Sequence, residues 1–125
     1  MTQGLKVTFL LHSICAFLFG IGLYFVPELT AGALNWTPVD PTMSRFMGAA
    51  MLAISFKSLL AYRASSWESV RIIVMFEICY CILGATIGLY SVIVAKAPLF
   101  AWASIAVWVI FLIPFSYFYR KSSGL

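Results

Sequence analysis

The fold is decided by residues 71–94, RIIVMFEICYCILGATIGLYSVIV, in which Glu77 is the only charged residue after Arg71. An α-helix of this length extends about 36 Å, which is enough to cross the roughly 30 Å hydrocarbon core of a bilayer. Apolar runs of this length are typical of membrane spans, whereas shorter runs occur in soluble cores. The stretch therefore predicts a transmembrane helix.

The composition of the whole chain favours the same environment. Of the 125 residues, 63% are hydrophobic and 10% are charged, whereas a soluble domain carries about 25% charged residues. The net charge of +4 comes from basic residues that mostly flank apolar runs, a pattern typical of headgroup contact rather than nucleic-acid binding. We therefore expect a single transmembrane domain over residues 1–125, with membrane lipid as a partner and no nucleic acid.

Two apolar segments in the first half predict two more helices. The first covers about residues 5–26 and ends at Pro27, because proline cannot continue a helix. Its length fits a span and no A-x-A cleavage site follows, so we expect a retained helix rather than a signal peptide. The second covers about residues 41–63, where Asp40 is a suitable N-cap and Pro41 suits the first helical position.

The second half predicts two helices, one of which contains the stretch quoted above. The capping-box spacing of Ser65 and Glu68 predicts that this helix covers about residues 66–94, and the last covers about residues 98–119. Short loops favour antiparallel packing of sequence neighbours. The predicted fold class is therefore all-α, an integral membrane antiparallel four-helix bundle.

The distribution of charge predicts the orientation of the bundle. The acids Glu28 and Asp40 lie on one side of the predicted spans. Most basic residues lie on the other side: Lys6, Arg63, Arg71, Arg120 and Lys121. Because basic loops stay on the inner side of a membrane, we expect a multi-pass protein with cytoplasmic N- and C-termini.

Glu77 is the most informative polar residue, because an ionisable group inside a membrane requires a partner or water. At 100° per residue it shares a helix face with Cys81, Gly84 and Gly88. Gly84 and Gly88 have the GxxxG spacing that permits close helix packing. We therefore expect Glu77 to point into a helix–helix interface rather than toward lipid.

Two further ionisable residues are predicted to lie at the level of Glu77. Lys57 shares a small-residue face of its helix with Ala53, which suits helix packing, and His12 falls at nearly the same depth in the first helix. One interpretation is a polar pocket that binds a ligand or relays a proton. The other is a Glu77–Lys57 ion pair beside a hydrogen-bonded core histidine, or a Lys57 side chain that reaches the cytoplasmic surface.

Arg45 is a separate candidate near the outer boundary. It either pairs with Asp40, Glu28 or a lipid phosphate, or it attracts an anionic group into the bundle. A single histidine without clustered acids argues against a metal site. The sequence predicts no cofactor and no catalytic residue.

The first half of the chain resembles small four-helix DoxX-like proteins and related uncharacterised bacterial membrane families. The matching positions are Gly20, Pro27, Asp40-Pro41, Arg45 and Gly48-Ala49. The resemblance implies a fold and carries no activity with it.

These observations favour a non-enzymatic role. We expect the protein to bind a lipid-like or apolar small molecule between its helices, or to be an accessory subunit with other membrane subunits as partners. The alternative is a membrane enzyme or a proton-coupled transporter that uses Glu77.

Overall fold

The computed structural model describes residues 1–36 and 38–124 and confirms the all-α fold class. Three of its helices, α1, α4 and α5, are long and apolar enough to cross a membrane. The helices of the described part are α1 (Gln3–Phe25), α2 (Pro27–Ala33), α3 (Pro41–Arg63), α4 (Arg71–Ile93) and α5 (Phe100–Ser123).

The segment after α1 is partly helical, although the sequence predicts a loop there. Val26 leaves the helical conformation with φ −134° and ends α1. Pro27 then occupies the first position of α2, and Glu28 lies in its first turn. Proline suits a helix start because its missing N–H is not needed there, and an acid in the first turn interacts favourably with the helix dipole.

The predicted start of α3 is confirmed. The Asp40 carboxylate accepts hydrogen bonds from the backbone N–H groups of Thr42 at 2.8 Å and Met43 at 3.1 Å. Pro41 is the first helical residue. Both features follow from local chain chemistry, so the sequence was sufficient to locate them.

The predicted start of α4 at residue 66 is wrong, because the helix begins at Arg71. Ser69 Oγ donates to the Ser66 carbonyl at 2.8 Å, and Ser66 Oγ accepts from the Ser69 N–H at 3.3 Å. Such local side-chain hydrogen bonds compete with the helical ladder and favour a turn. The last helix also differs from its predicted range, since α5 continues to Ser123.

The helices pack as two pairs, with α1 along α3 and α4 along α5, and α1 also contacts α5 and α2. The backbones of α1 and α3 are in close contact at Gly48, where an added Cβ would lie 2.5 Å from the backbone N of Tyr24. The absence of a side chain at Gly48 therefore permits this approach.

The GxxxG of α4 packs against side chains of α5. A Cβ at Gly84 would meet the ring of Trp108, and one at Gly88 would meet Ile105. Ala53, the predicted packing residue of the second helix, is exposed in this chain. The buried positions of α3 are Gly48, Ser55, Ser58 and Ala61.

The apolar core lies at the end of the bundle where α1 and α4 begin and α5 ends. Its largest fully buried apolar side chains are Phe9, Phe115, Leu5, Val70 and Val74. The polar residues described below lie one to two turns further along the same helices.

Candidate functional site

The predicted polar residues meet at the Glu77 carboxylate, which is fully buried in α4. Its Oε1 atom lies 2.6 Å from Lys57 Nζ and 3.3 Å from His12 Nδ1. Ser58 Oγ donates a hydrogen bond to the same oxygen at 3.1 Å. Side chains from α1, α3 and α4 therefore converge on one oxygen atom, and we call these four residues the Glu77 cluster.

The hydrogen-bond network assigns the protonation of the histidine. Ser58 has a single hydroxyl proton and donates it to Glu77 Oε1. The contact of 3.1 Å between Ser58 Oγ and His12 Nδ1 therefore needs its proton from the imidazole. His12 Nδ1 is therefore the donor in this contact, and Lys57 carries the charge that compensates the Glu77 carboxylate.

Lys57 turns its ammonium inward between α3 and α4. Its side chain is 25% exposed, yet its Nζ atom reaches Glu77 and lies 4.2 Å from the centroid of the Phe76 ring. A cation over an aromatic face is attracted by the ring quadrupole. Of the interpretations that the sequence left open, the geometry matches the ion pair and not an extension to the surface.

Two aromatic rings of α5 enclose His12. The centroids of Phe111 and Phe115 lie 4.7 Å and 5.7 Å from that of the imidazole, both in edge-to-face arrangements. His12 itself is 5% exposed. The fourth long helix therefore contributes an apolar wall, and the burial of Glu77 and His12 strengthens their electrostatic interactions.

One oxygen of the cluster lacks a partner. Glu77 Oε2 is buried and accepts no hydrogen bond from the residues that the structure describes. A buried acceptor without a partner is energetically unfavourable and rare. Glu77 Oε2 is therefore the atom of the cluster that can accept an additional proton or hydrogen-bond donor.

A second polar contact joins α1 to α3 one turn from the cluster. Ser13 Oγ donates to the Ser55 carbonyl and Ser55 Oγ donates to the Ser13 carbonyl, each at 2.8 Å. Sequence reasoning missed Ser13, Ser55 and Ser58. Their signal was present, because serines in membrane helices commonly bond across helix interfaces and two of these directly follow the ionisable residues His12 and Lys57.

Arg45 lies outside the cluster. It is exposed and twelve residues before Lys57 on α3, a separation of about 18 Å along the helix axis. It forms no salt bridge with Asp40, Glu28 or any other residue within the described ranges. Its predicted pairing with an acid is therefore not observed there.

Two open grooves lie on the outer surface of the helix pairs. One, of about 350 Å³, lies between α1 and α2. The larger, of about 490 Å³, lies between α4 and α5, and we call it the α4–α5 groove. Its lining residues are Met75, Ile78, Cys79, Ile82, Leu83, Ser116, Tyr119 and Arg120.

The cluster and the α4–α5 groove lie on different faces of α4, since Glu77 faces the interior and Met75, Cys79 and Leu83 are exposed.

Within the described residues, no group of three or more His, Cys, Asp or Glu side chains is arranged to hold a metal ion. Comparison of the chain with protein-family models, curated proteins and solved structures gives no match. Any functional assignment therefore depends on the geometry of these two sites.

Proposed function

We propose that the protein is a four-pass membrane protein that binds a lipid-like molecule in the α4–α5 groove. The proposal has two parts, the crossing of the bilayer by α3 and the occupation of the groove. Each part has its own supporting observation and its own experiment.

The support for α3 as a span is that the polar groups of Ser55, Lys57 and Ser58 face inward. Its serines bond to α1 and Glu77, and Lys57 is neutralised by Glu77. With 23 residues, α3 is as long as α1 and α4. Apart from Arg45 near its start and Arg63 at its end, its exposed large side chains are apolar: Met43, Phe46, Met47, Phe56 and Leu60. A helix with satisfied polar groups inside and apolar groups outside suits lipid.

Cysteine labelling tests the number of crossings. Pro38, before α3, and Ser65, after it, are both exposed. We expect a membrane-impermeant maleimide to label Pro38→Cys in intact cells and to label Ser65→Cys only after permeabilisation. This result also tests the proposed orientation, with cytoplasmic termini and an outer segment between α2 and α3. If α3 did not cross, both cysteines would lie on one side and would be labelled under the same condition.

The α4–α5 groove carries the functional part of the proposal. Most of its surface is apolar, and its volume of about 490 Å³ falls in the range of ligand pockets, about 300–1,000 Å³. The Glu77 cluster supports ligand binding less well, because its own side chains contact the fully buried carboxylate and two phenylalanine rings pack against His12.

Lipid retention in mild detergent tests groove binding. Ile82 lines the groove and Ile87 does not, and the two are 49% and 60% exposed on the same helix. We expect Ile82→Trp to fill the groove and lower the amount of co-purified lipid, measured by mass spectrometry, while the matched Ile87→Trp retains it. Equal retention by both variants would remove the groove from the proposal. Co-purification of a stoichiometric membrane protein instead of lipid would favour the accessory-subunit role.

Proton transfer is a second candidate function, favoured by a carboxylate whose Oε1 lies 3.3 Å from His12 Nδ1 and whose Oε2 accepts no hydrogen bond from the described residues. A carboxylate that gains a proton loses its charge, which changes its attraction to Lys57 and can alter the contact between α3 and α4. In proteoliposomes under an imposed membrane potential, this function predicts proton uptake that Glu77→Gln abolishes while helical circular dichroism is unchanged. Equal uptake by the wild type and the variant would exclude Glu77 from such a role.

A further inference from the structure

We propose that the α4–α5 groove selects an anionic phospholipid, with Arg120 binding the phosphate and the acyl chain lying against α4. This inference rests on the proposed lipid binding and adds the chemical class of the headgroup. It follows from the distribution of polarity and charge along the groove.

The groove has an almost entirely apolar surface, and the residues that carry polar groups lie at one end of it. Ser116, Tyr119 and Arg120 come from the last two turns of α5, whereas the wall supplied by α4 is apolar from Met75 to Leu83. That wall is about 12 Å long at 1.5 Å per residue. Because α4 begins where α5 ends, the polar end lies at the basic end of the bundle and the apolar wall extends from there into the membrane. This order of surfaces matches a lipid, with a headgroup above an acyl chain.

Arg120 is available to an external anion. It is exposed and lines the groove. It forms no salt bridge with another residue in the part of the chain that the structure describes. A guanidinium matches the oxygens of a phosphate in a bidentate geometry, which distinguishes it from a simple positive charge.

The surroundings of Arg120 favour a net negative headgroup over a zwitterionic one. Basic residues also terminate α3, begin α4 and follow Arg120 directly, at Arg63, Arg71 and Lys121. Glu68 is the single acid in the segment between α3 and α4. The Tyr119 ring packs edge-to-face on Trp67 at this end, with the ring centroids 5.8 Å apart.

Lipid competition in mild detergent tests the headgroup. We would add phosphatidylglycerol and phosphatidylcholine with identical acyl chains in equal amounts and count the bound lipid of each type by native mass spectrometry. We expect a preference for phosphatidylglycerol that falls about fivefold in Arg120→Gln, since one basic residue at an anionic lipid surface contributes a factor of this size. Lys121→Gln removes the same charge from the next residue, which does not line the groove, and should retain the preference. Arg120→Lys should restore part of it.

The outcomes separate this inference from the proposal on which it rests. Equal binding of the two lipids by the wild type, with loss of both in Ile82→Trp, would overturn headgroup selection and leave groove binding intact. The same loss of preference in Arg120→Gln and Lys121→Gln would also overturn it, since general surface charge would then suffice. Absence of retained lipid in the wild type, or a dimer that covers the groove, would overturn both. Displacement of the lipid by inorganic phosphate at millimolar concentration would overturn the assignment of the anion to a lipid.

Discussion

Removing one partner of the Lys57–Glu77 ion pair should destabilise the protein more than removing both. The two charges lie 2.6 Å apart, and Glu77 is fully buried. Loss of one member of a buried pair costs about 3–5 kcal/mol, because it leaves the other charge uncompensated. Since a quarter of the Lys57 side chain is already exposed, its ammonium can partly escape to the surface. We therefore expect the lower limit, about 3 kcal/mol, for Glu77→Gln.

The reciprocal variant, Lys57→Met, should have a similar cost. The Glu77 carboxylate would keep its contacts with Ser58 and His12 but lose its compensating charge. The double variant, Glu77→Gln with Lys57→Met, leaves no charge in the pair to compensate, and the glutamine can still accept a hydrogen bond from Ser58. We expect its free energy of unfolding to be within about 1 kcal/mol of that of the wild type, as is usual when a buried pair is replaced by neutral groups.

Reversible unfolding in mixed micelles, driven by sodium dodecyl sulfate and followed by helical circular dichroism, measures these free energies. Arg45→Met is the matched control, because it removes a basic residue from an exposed position on the same helix where the structure shows no ion pair. We expect a cost below about 0.5 kcal/mol there. A double variant whose loss equals the sum of the two single losses would refute this reasoning, since independent sites add and coupled ones do not.

The packing of α1 on α3 gives two further predictions. Gly48→Ala places a Cβ against the backbone of α1 and should destabilise the protein by about 1–3 kcal/mol, as overpacking does. Gly32→Ala is its control, because a Cβ there meets no atom within 4 Å, and it should be neutral or slightly stabilising. Ser55→Ala removes the hydrogen bond that Ser55 Oγ donates to the Ser13 carbonyl and should cost about 0.6 kcal/mol, the average for interhelical bonds in membranes. Ser91→Ala is its control, because that hydroxyl bonds within its own helix. The same unfolding assay measures all four, and equal losses within either pair would contradict the assigned contacts.

The sequence was most informative where a local rule applies. Asp40 and Pro41 identified the start of α3, because capping depends on residues adjacent in the chain. It was misleading between α3 and α4, where Ser65 and Glu68 fit a capping box but hydrogen bonds between Ser66 and Ser69 form a turn. Several local patterns were available to that segment, and the spacing of one of them did not exclude the others.

The Glu77 cluster was predictable in part. The fixed rise and rotation of a helix placed Glu77, Lys57 and His12 at one depth and placed Glu77 on an inward face. The same rules did not identify Ser58 as the residue that bridges His12 and Glu77. They also did not distinguish an ion pair from an open pocket, because that distinction depends on how near the neighbouring helices lie.

The sequence by itself determined that this protein is helical and suited to lipid, because apolar residues in span-length runs favour a membrane environment. It also determined which residues carry costly charge inside those runs. Only the tertiary structure decided that one Glu77 oxygen receives three side chains, that Gly48 permits the close approach of α1 to α3, and that the α4–α5 groove opens on the opposite face of α4. The physical reason is that helical periodicity specifies the direction of a side chain relative to its own axis, whereas the identity and distance of its partner depend on the packing of the other helices.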